Sequence, residues 1–283
     1  MIKMMQGRGT VLFDGGMGTL LMKNGLKPGM RSDMMNVEHP EVVEKIHRDY
    51  VDAGSRIICT NSFSSCSDTL ESSGVSAEKM IETAVMLAKR AAAGRALTAL
   101  DMGPTGEFME PYGSMTYERA YNRFYEQASL GKAAGVELIA IETMTDIAEL
   151  RAAVEAAGKT GLDIFTTMTF NPDGRTFTGC SVEEFGEFIN DTPVTAAGMN
   201  CSRSPEEMLP AAEWMAAVLK KPLIIKLNAG LPDGKTGEYT VSPDEFARQM
   251  LPYKVLNVKV AGGCCGTTPE HIRALKEIFD ELA

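Results

Sequence analysis

The sequence contains no long hydrophobic run. Its longest apolar stretches, such as Leu138 to Ile141, are strand-sized, far short of the roughly 20 residues that cross a bilayer. Met1 to Thr10 shows neither an apolar core nor a small-residue cleavage pattern, so a cytoplasmic protein is expected rather than a secreted one. Positive charge is scarce, with 28 basic residues against 38 acidic ones and a net charge of −10. That balance argues against nucleic acid, whose phosphates need a basic face, and against an anionic membrane surface. Cysteine is sparse as well, at six in 283 residues. That is too few for a disulfide scaffold, and a cytosolic setting keeps thiols reduced. The three histidines, His39, His47 and His271, do not group and are read as surface or capping residues. No linker or low-complexity segment interrupts the chain, so residues 1–283 are read as one domain.

What recurs is a short β-rich run, a Gly/Pro/polar turn and then an amphipathic stretch. The runs are Val11–Phe13, Arg56–Thr60, Leu97–Met102, Glu137–Glu142, Ile164–Phe170, Thr195–Asn200, Leu223–Leu227 and Val255–Val260. The helical stretches between them are Pro40–Ala53, Ala77–Ala93, Tyr117–Ala134, Asp146–Lys159, Val182–Ile189, Pro205–Leu219, Pro243–Met250 and Pro269–Leu282. Ser204-Pro205-Glu206-Glu207 and Ser242-Pro243-Asp244-Glu245 place an N-cap before Pro at the first helical position, with acids in the first turn. The strand runs are almost wholly apolar, as expected of parallel strands covered by helices. Eight such units at this length predict an α/β protein, a (β/α)8 TIM barrel, with a doubly wound open sheet as the rival.

Barrel active sites form where the strands end, and the residues there are chemically rich. The last strand runs into Gly262-Gly263-Cys264-Cys265-Gly266, and the sixth ends in Asn200-Cys201-Ser202. Glycines allow the sharp bend that turns two adjacent cysteines toward one point, and the sixth strand lies only two places away in a barrel. Three thiolates with a vacant fourth position suit a catalytic Zn²⁺. Buried core cysteines, or a vicinal disulfide, are the competing reading. A thiolate-rich zinc is a weak Lewis acid but binds a substrate thiol as thiolate. A free thiol of pKa ~8.5 is only a few per cent ionised at pH 7. Full deprotonation yields roughly thirtyfold more nucleophile, about 2 kcal/mol, suited to attack on an activated methyl group. Asp14 and Glu142, at strand ends, are placed to pair with an α-ammonium, and the Gly15–Gly18 turn to hold an α-carboxylate. Other signals are weak. Gly15-Gly16-Met17-Gly18 is not a dinucleotide fingerprint, and Gly234-Lys235-Thr236 lacks the upstream glycine of a phosphate loop because Ala229 stands there.

Four segments together resemble a known family. Phe13-Asp14-Gly15-Gly16-Met17-Gly18-Thr19, Thr60-Asn61-Ser62-Phe63, Gly198-Met199-Asn200-Cys201 and Gly262-Gly263-Cys264-Cys265-Gly266-Thr267-Thr268-Pro269 look like the signature of the homocysteine-binding methyltransferase domain. Within that family Gly103-Pro104-Thr105-Gly106-Glu107 and Asn228-Ala229-Gly230-Leu231-Pro232 are most similar to the N-terminal module of cobalamin-dependent methionine synthase. The resemblance implies a (β/α)8 barrel with zinc on Cys201, Cys264 and Cys265, and homocysteine sulfur as fourth ligand. It implies that Asn228 fills the fourth position until substrate arrives. It further implies that Asp14, Gly15 and Glu142 hold the amino-acid group, and Thr60 and Asn61 are taken as substrate-binding with them. The folate, cobalamin and activation modules do not occur in these 283 residues. The methyl donor is therefore expected to be a separate methyl-corrinoid protein carrying methylcobalamin, with S-methylmethionine or S-adenosylmethionine as alternatives. Two further readings stay open: a non-catalytic subunit that binds zinc and homocysteine within a corrinoid complex, and an enzyme acting on another thiol.

Overall fold

The computed structural model describes residues 9–27 and 29–280. The opening residues 1–8, and the expected helix end at Leu282, lie outside that set. Eight parallel strands follow one another around the sheet: β1 (Val11–Leu12), β2 (Ile57–Cys59), β3 (Leu97–Met102), β4 (Leu138–Met144), β5 (Asp163–Met168), β6 (Ala196–Cys201), β7 (Leu223–Leu227) and β8 (Val258–Gly263). β1 pairs with β8, and the gap between β1 and β2 is bridged by the Arg56 N–H donating to the Leu12 carbonyl at 2.7 Å. The result is a nearly closed (β/α)8 barrel in one domain, as the repeat predicts.

Strand alternation sorts the side chains into two cores. Val11, Phe13, Ile57, Cys59, Ala99, Leu138, Ala140, Phe165, Ala196, Ile224 and Val260 fill the barrel interior. The intervening residues, such as Ile139, Ile141, Ile225 and Leu227, pack outward against the helices. Carried one step further up each strand, the same alternation turns Asp101, Glu142, Asn200 and Lys226 inward at the carboxyl ends. The apolar barrel is thus roofed by a polar layer. Gly198 on β6 is glycine for a packing reason: a Cβ there would stand 1.9 Å from the Ile224 carbonyl oxygen of β7.

The helices begin where their sequences signal. Ser204 accepts from the Glu207 N–H in a full capping box, and Ser242 accepts from the Glu245 N–H. Two expectations are corrected. The last strand occupies Val258–Gly263 rather than Val255–Val260, because Leu251–Leu256 winds as a 3₁₀ turn ended by Asn257 in the left-handed region (φ 55°). His47 is not a surface or capping residue but fully buried, on the helix face that also buries Val43, Ile46 and Tyr50. Neither of its ring nitrogens has a partner among the described residues, and burial pulls its pKa down to about 4. His271 does cap: its Nδ1 accepts from the Thr268 N–H at 3.1 Å. Among the described residues no helix is long and apolar enough to cross a membrane.

Candidate active site

The three cysteines singled out in the sequence meet at the carboxyl end of the barrel. The Cys201 Sγ lies 2.8 Å from that of Cys264 and 3.9 Å from that of Cys265, and all three sulfurs fall within 4.8 Å of one another. The backbone brings them there. Cys264 N–H donates to the Leu227 carbonyl at 2.8 Å and Ala229 N–H to the Cys265 carbonyl at 3.0 Å, clamping the cysteine turn to the end of β7. On the other side the Gly263 N–H donates to the Asp14 carbonyl at 3.0 Å. Thr267 Oγ1 donates to the Cys264 carbonyl at 2.7 Å and accepts from the Gly16 N–H at 3.1 Å. A Cβ on Gly263 would stand 2.2 Å from Thr267 Oγ1, so the turn needs glycine there.

Cys201 and Ser202 both adopt left-handed backbone, φ 59° and 66°, and Thr143 does so at φ 63°. Such non-glycine conformations cost about 1–3 kcal/mol each and persist only where the surroundings impose them. Asn200 is part of what imposes them. Fully buried, its Oδ1 accepts from the Thr143 N–H and from Thr167 Oγ1, both at 2.8 Å. Its Nδ2 donates to Thr143 Oγ1 at 2.8 Å and reaches the Cys264 sulfur at 3.8 Å. One side chain thus ties together β4, β5, β6 and the cysteine turn.

The donor set fits a soft divalent ion. Tetrahedral sulfur ligands ~2.3 Å from zinc stand about 3.8 Å apart; the Cys201–Cys265 separation of 3.9 Å meets that, and the Cys201–Cys264 pair at 2.8 Å would have to open by about 1 Å to hold the ion. Hydrogen bonds from Cys201 and Cys264 draw Cys265 far below the ordinary thiol range, while its hydrogen bond with Cys201 and its burial push Cys264 up. Asn228 supplies a second sign. Its Nδ2 donates to the Ser202 carbonyl at 2.9 Å, yet its buried Oδ1 has no partner among the described residues, which leaves an oxygen donor available.

Beside the cysteines lies the charged layer. Asp14 Oδ2 accepts from the Cys59 N–H at 2.7 Å. Lys226, 4% exposed, donates from Nζ to Glu142 Oε2 at 2.6 Å, approaches Asp14 Oδ1 at 3.9 Å and sits 4.0 Å from the centre of the Phe13 ring. Gly262 lets β8 approach β1 beside it: a Cβ there would stand 2.7 Å from the Asp14 carbonyl and 2.9 Å from Phe13 Cβ. Burial raises Asp14 to about 7, against the opposing pull of Lys226. Burial also raises Asp101, and the neighbouring Glu142 adds to it. Lys226 stays above the ordinary lysine range, because Glu142 and Asp14 together outweigh the burial that opposes its charge.

The remaining expected site residues differ in their surroundings. Asp14, Glu142, Asn228 and the three cysteines ring the barrel mouth. Gly15 packs under them, where a Cβ would stand 2.5 Å from Thr267 Oγ1. Thr60 Oγ1 shares a hydrogen bond with Ser62 Oγ at 2.7 Å and accepts from the Asp101 N–H at 3.1 Å. Asn61 donates to the Ser32 carbonyl at 2.7 Å and to Asn36 Oδ1 at 3.2 Å. Both are thus engaged in shaping the wall. Lys226 was not singled out from the sequence, although it had a signal: it is the one charge inside the apolar run Leu223–Leu227, in phase with the inward-facing Ile224.

The fold and site together define a barrel enzyme with a sulfur-rich centre at the mouth. The family model described as homocysteine S-methyltransferase matches residues 11–279, and the chain belongs to that family of methyltransferases. Among relatives, methionine synthase from Mycobacterium leprae (strain TN) is 30% identical over 287 residues, covering 92% of this chain. Methionine synthase from Mycobacterium tuberculosis (strain ATCC 25618 / H37Rv) is 29% identical over 284 residues, again covering 92% of this chain. The matches take up 23% and 24% of those relatives, so the chain spans about a quarter of their length. Among solved structures, the metallated form of the homocysteine methyltransferase MmuM from Escherichia coli superposes with a TM-score of 0.83 at 22% identity, covering 98% of each chain. Its oxidized form gives 0.82 at 23% identity, covering 95% of each. These two bear on the fold.

Proposed function

We propose that this barrel methylates the thiol of homocysteine to give methionine, with zinc held by Cys201, Cys264 and Cys265. The observation that carries the reading is the convergence of three sulfurs, one from the end of β6 and two from the turn after β8, beside a layer of buried carboxyls. When bound there, zinc supplies a site at which an incoming thiol is held as thiolate at neutral pH. The chain's own residues do the rest. The strained turn at Cys201 and Ser202, braced through Asn200, fixes the sulfurs so that little ordering remains for substrate binding. Asn228, whose buried Oδ1 has no hydrogen-bond partner among the described residues, would supply an oxygen donor toward the ion beside the three sulfurs. Asp14 and Glu142, in the charged layer beside the sulfurs, attract the α-ammonium and so orient the thiol toward the cysteines. Gly15 keeps the first turn close to this pocket, with Thr60 and Asn61 as its wall.

A methyl-corrinoid carrier protein is the proposed donor, supported by the identity with methionine synthases and by the resemblance to their cobalamin-dependent branch. Zinc-loaded chain mixed with homocysteine and methylcobalamin is expected to form methionine above a protein-free control. Parallel assays with S-methylmethionine and S-adenosylmethionine identify a diffusible donor if that is the true one. Methionine from none of the three points to the binding-subunit reading. Cys264→Ala is expected to abolish turnover and zinc retention, and a wild-type rate in that variant contradicts the mechanism.

A further inference from the structure

Three carboxyl groups and one lysine share the roof of the barrel core, and their hydrogen bonding is unequal. Glu142 is engaged through Oε2 by Lys226 at 2.6 Å. Asp14 is engaged through Oδ2 by the Cys59 N–H at 2.7 Å. The backbone of Asp101 is also occupied, its N–H by Thr60 Oγ1 and its carbonyl by Ser62 Oγ and Gln127 Nε2. Its side chain is not. Asp101 is 9% exposed, and its Oδ1 is buried with no hydrogen-bond partner among the described residues. A carboxylate oxygen of Asp101, the Cys59 thiol and a Glu142 oxygen lie within 4.8 Å of one another, and Asp101 stands two residues beyond the inward-facing Ala99 of β3, so its side chain turns to the barrel interior rather than the helices.

A buried acceptor without a donor destabilises the fold, and the imbalance of charge makes it worse. With all three carboxyls ionised, Lys226 offsets only one of them. Asp14 and Asp101 respond as expected of carboxyls short of a counter-charge, both shifted upward by burial. A metal ion is a poor completion, since the Lys226 ammonium already sits against Glu142 and repels a dication. A small ligand bearing an ammonium with several N–H donors supplies both what Asp101 lacks and what the pocket's charge lacks.

We infer that Asp101 is a further specificity-determining residue, receiving the ammonium of the acceptor thiol while Lys226 occupies one oxygen of Glu142. The assignment rests on the reading of the acceptor as an amino-acid thiol. It means that the pocket distinguishes homocysteine from thiols of the same length through three carboxyls rather than two.

The test compares zinc-loaded wild type with Asp101→Asn, titrating each with homocysteine and with 4-mercaptobutanoate, which is homocysteine without its ammonium. Asp101→Asn preserves shape, and Asp101→Ser is run beside it in case the amide disturbs the fold. In either variant homocysteine affinity is expected to fall by at least about tenfold, the worth of one charge-assisted hydrogen bond. Affinity for 4-mercaptobutanoate is expected to stay within about twofold. Equal loss of both thiols overturns the assignment in favour of a structural role. A wild-type preference for homocysteine that survives in both variants also overturns it, and leaves the homocysteine reading standing. A wild type with no such preference overturns both together.

Discussion

At the scale of single residues, the site depends on groups that hold the cysteines as much as on the cysteines. Asn200 satisfies the Thr143 backbone, reaches Cys264 and is itself wholly buried. Asn200→Ala is therefore expected to cost about 1–3 kcal/mol in urea unfolding, since it strands the Thr143 N–H and the Thr167 hydroxyl. It is also expected to weaken zinc retention in a chelator competition, and unchanged values in both measurements contradict its bracing role. The cysteines were legible in the sequence because glycines flank them directly after strand-like runs. Lys226 was not, because one lysine in an apolar run reads most simply as an exposed end. The strained backbone at Thr143, Cys201 and Ser202 was hidden for a different reason: none is glycine, so composition carries no trace of the left-handed turn.

At the scale of elements, the barrel tolerates side chains very unevenly. Gly198 packs β6 against the β7 backbone, where an added Cβ would stand 1.9 Å from the Ile224 carbonyl. Gly18 sits in the helix Met17–Lys23 with nothing within 4 Å of an added Cβ. Gly198→Ala is expected to destabilise by about 3 kcal/mol or more, because the strand must move. Gly18→Ala is expected to stabilise by about 0.5–1 kcal/mol through lower backbone entropy in the unfolded chain. Thermal melts of the two variants check the contrast, and similar shifts in both contradict the close β6–β7 approach. The strand–helix order was readable from periodicity and caps, as Ser204 and Ser242 show. The start of β8 was not, since Leu251–Leu256 is as apolar as a strand, yet winds as a 3₁₀ turn because Asn257 adopts the left-handed conformation. The strand then runs on through Gly262 and Gly263, residues of low strand preference that the close neighbours Asp14 and Thr267 require.

At the scale of the whole molecule, two buried titratable groups bias stability in opposite directions. His47 is lowered to about 4 by burial, so the unfolded chain takes up a proton first as pH falls. Its contribution is lost between about pH 6.5 and 4, on the order of 3 kcal/mol. Asp14 is raised to about 7 by burial, so its burden grows as pH rises from about 4 to 7. Relative to wild type, His47→Leu is expected to lose Tm as pH rises through that window, and Asp14→Asn to gain it. Parallel Tm-versus-pH curves for all three proteins contradict both assignments. The barrel brings three sulfurs from β6 and the turn after β8 to one point, where the proposed zinc would still have room for a thiol. Zinc-edge X-ray absorption on the zinc-loaded chain, with and without homocysteine, tests it directly. Three sulfur ligands and one oxygen ligand are expected in the free protein, changing to four sulfurs when homocysteine binds. Fewer than three sulfurs at the start, or a first shell that homocysteine leaves unaltered, contradicts it.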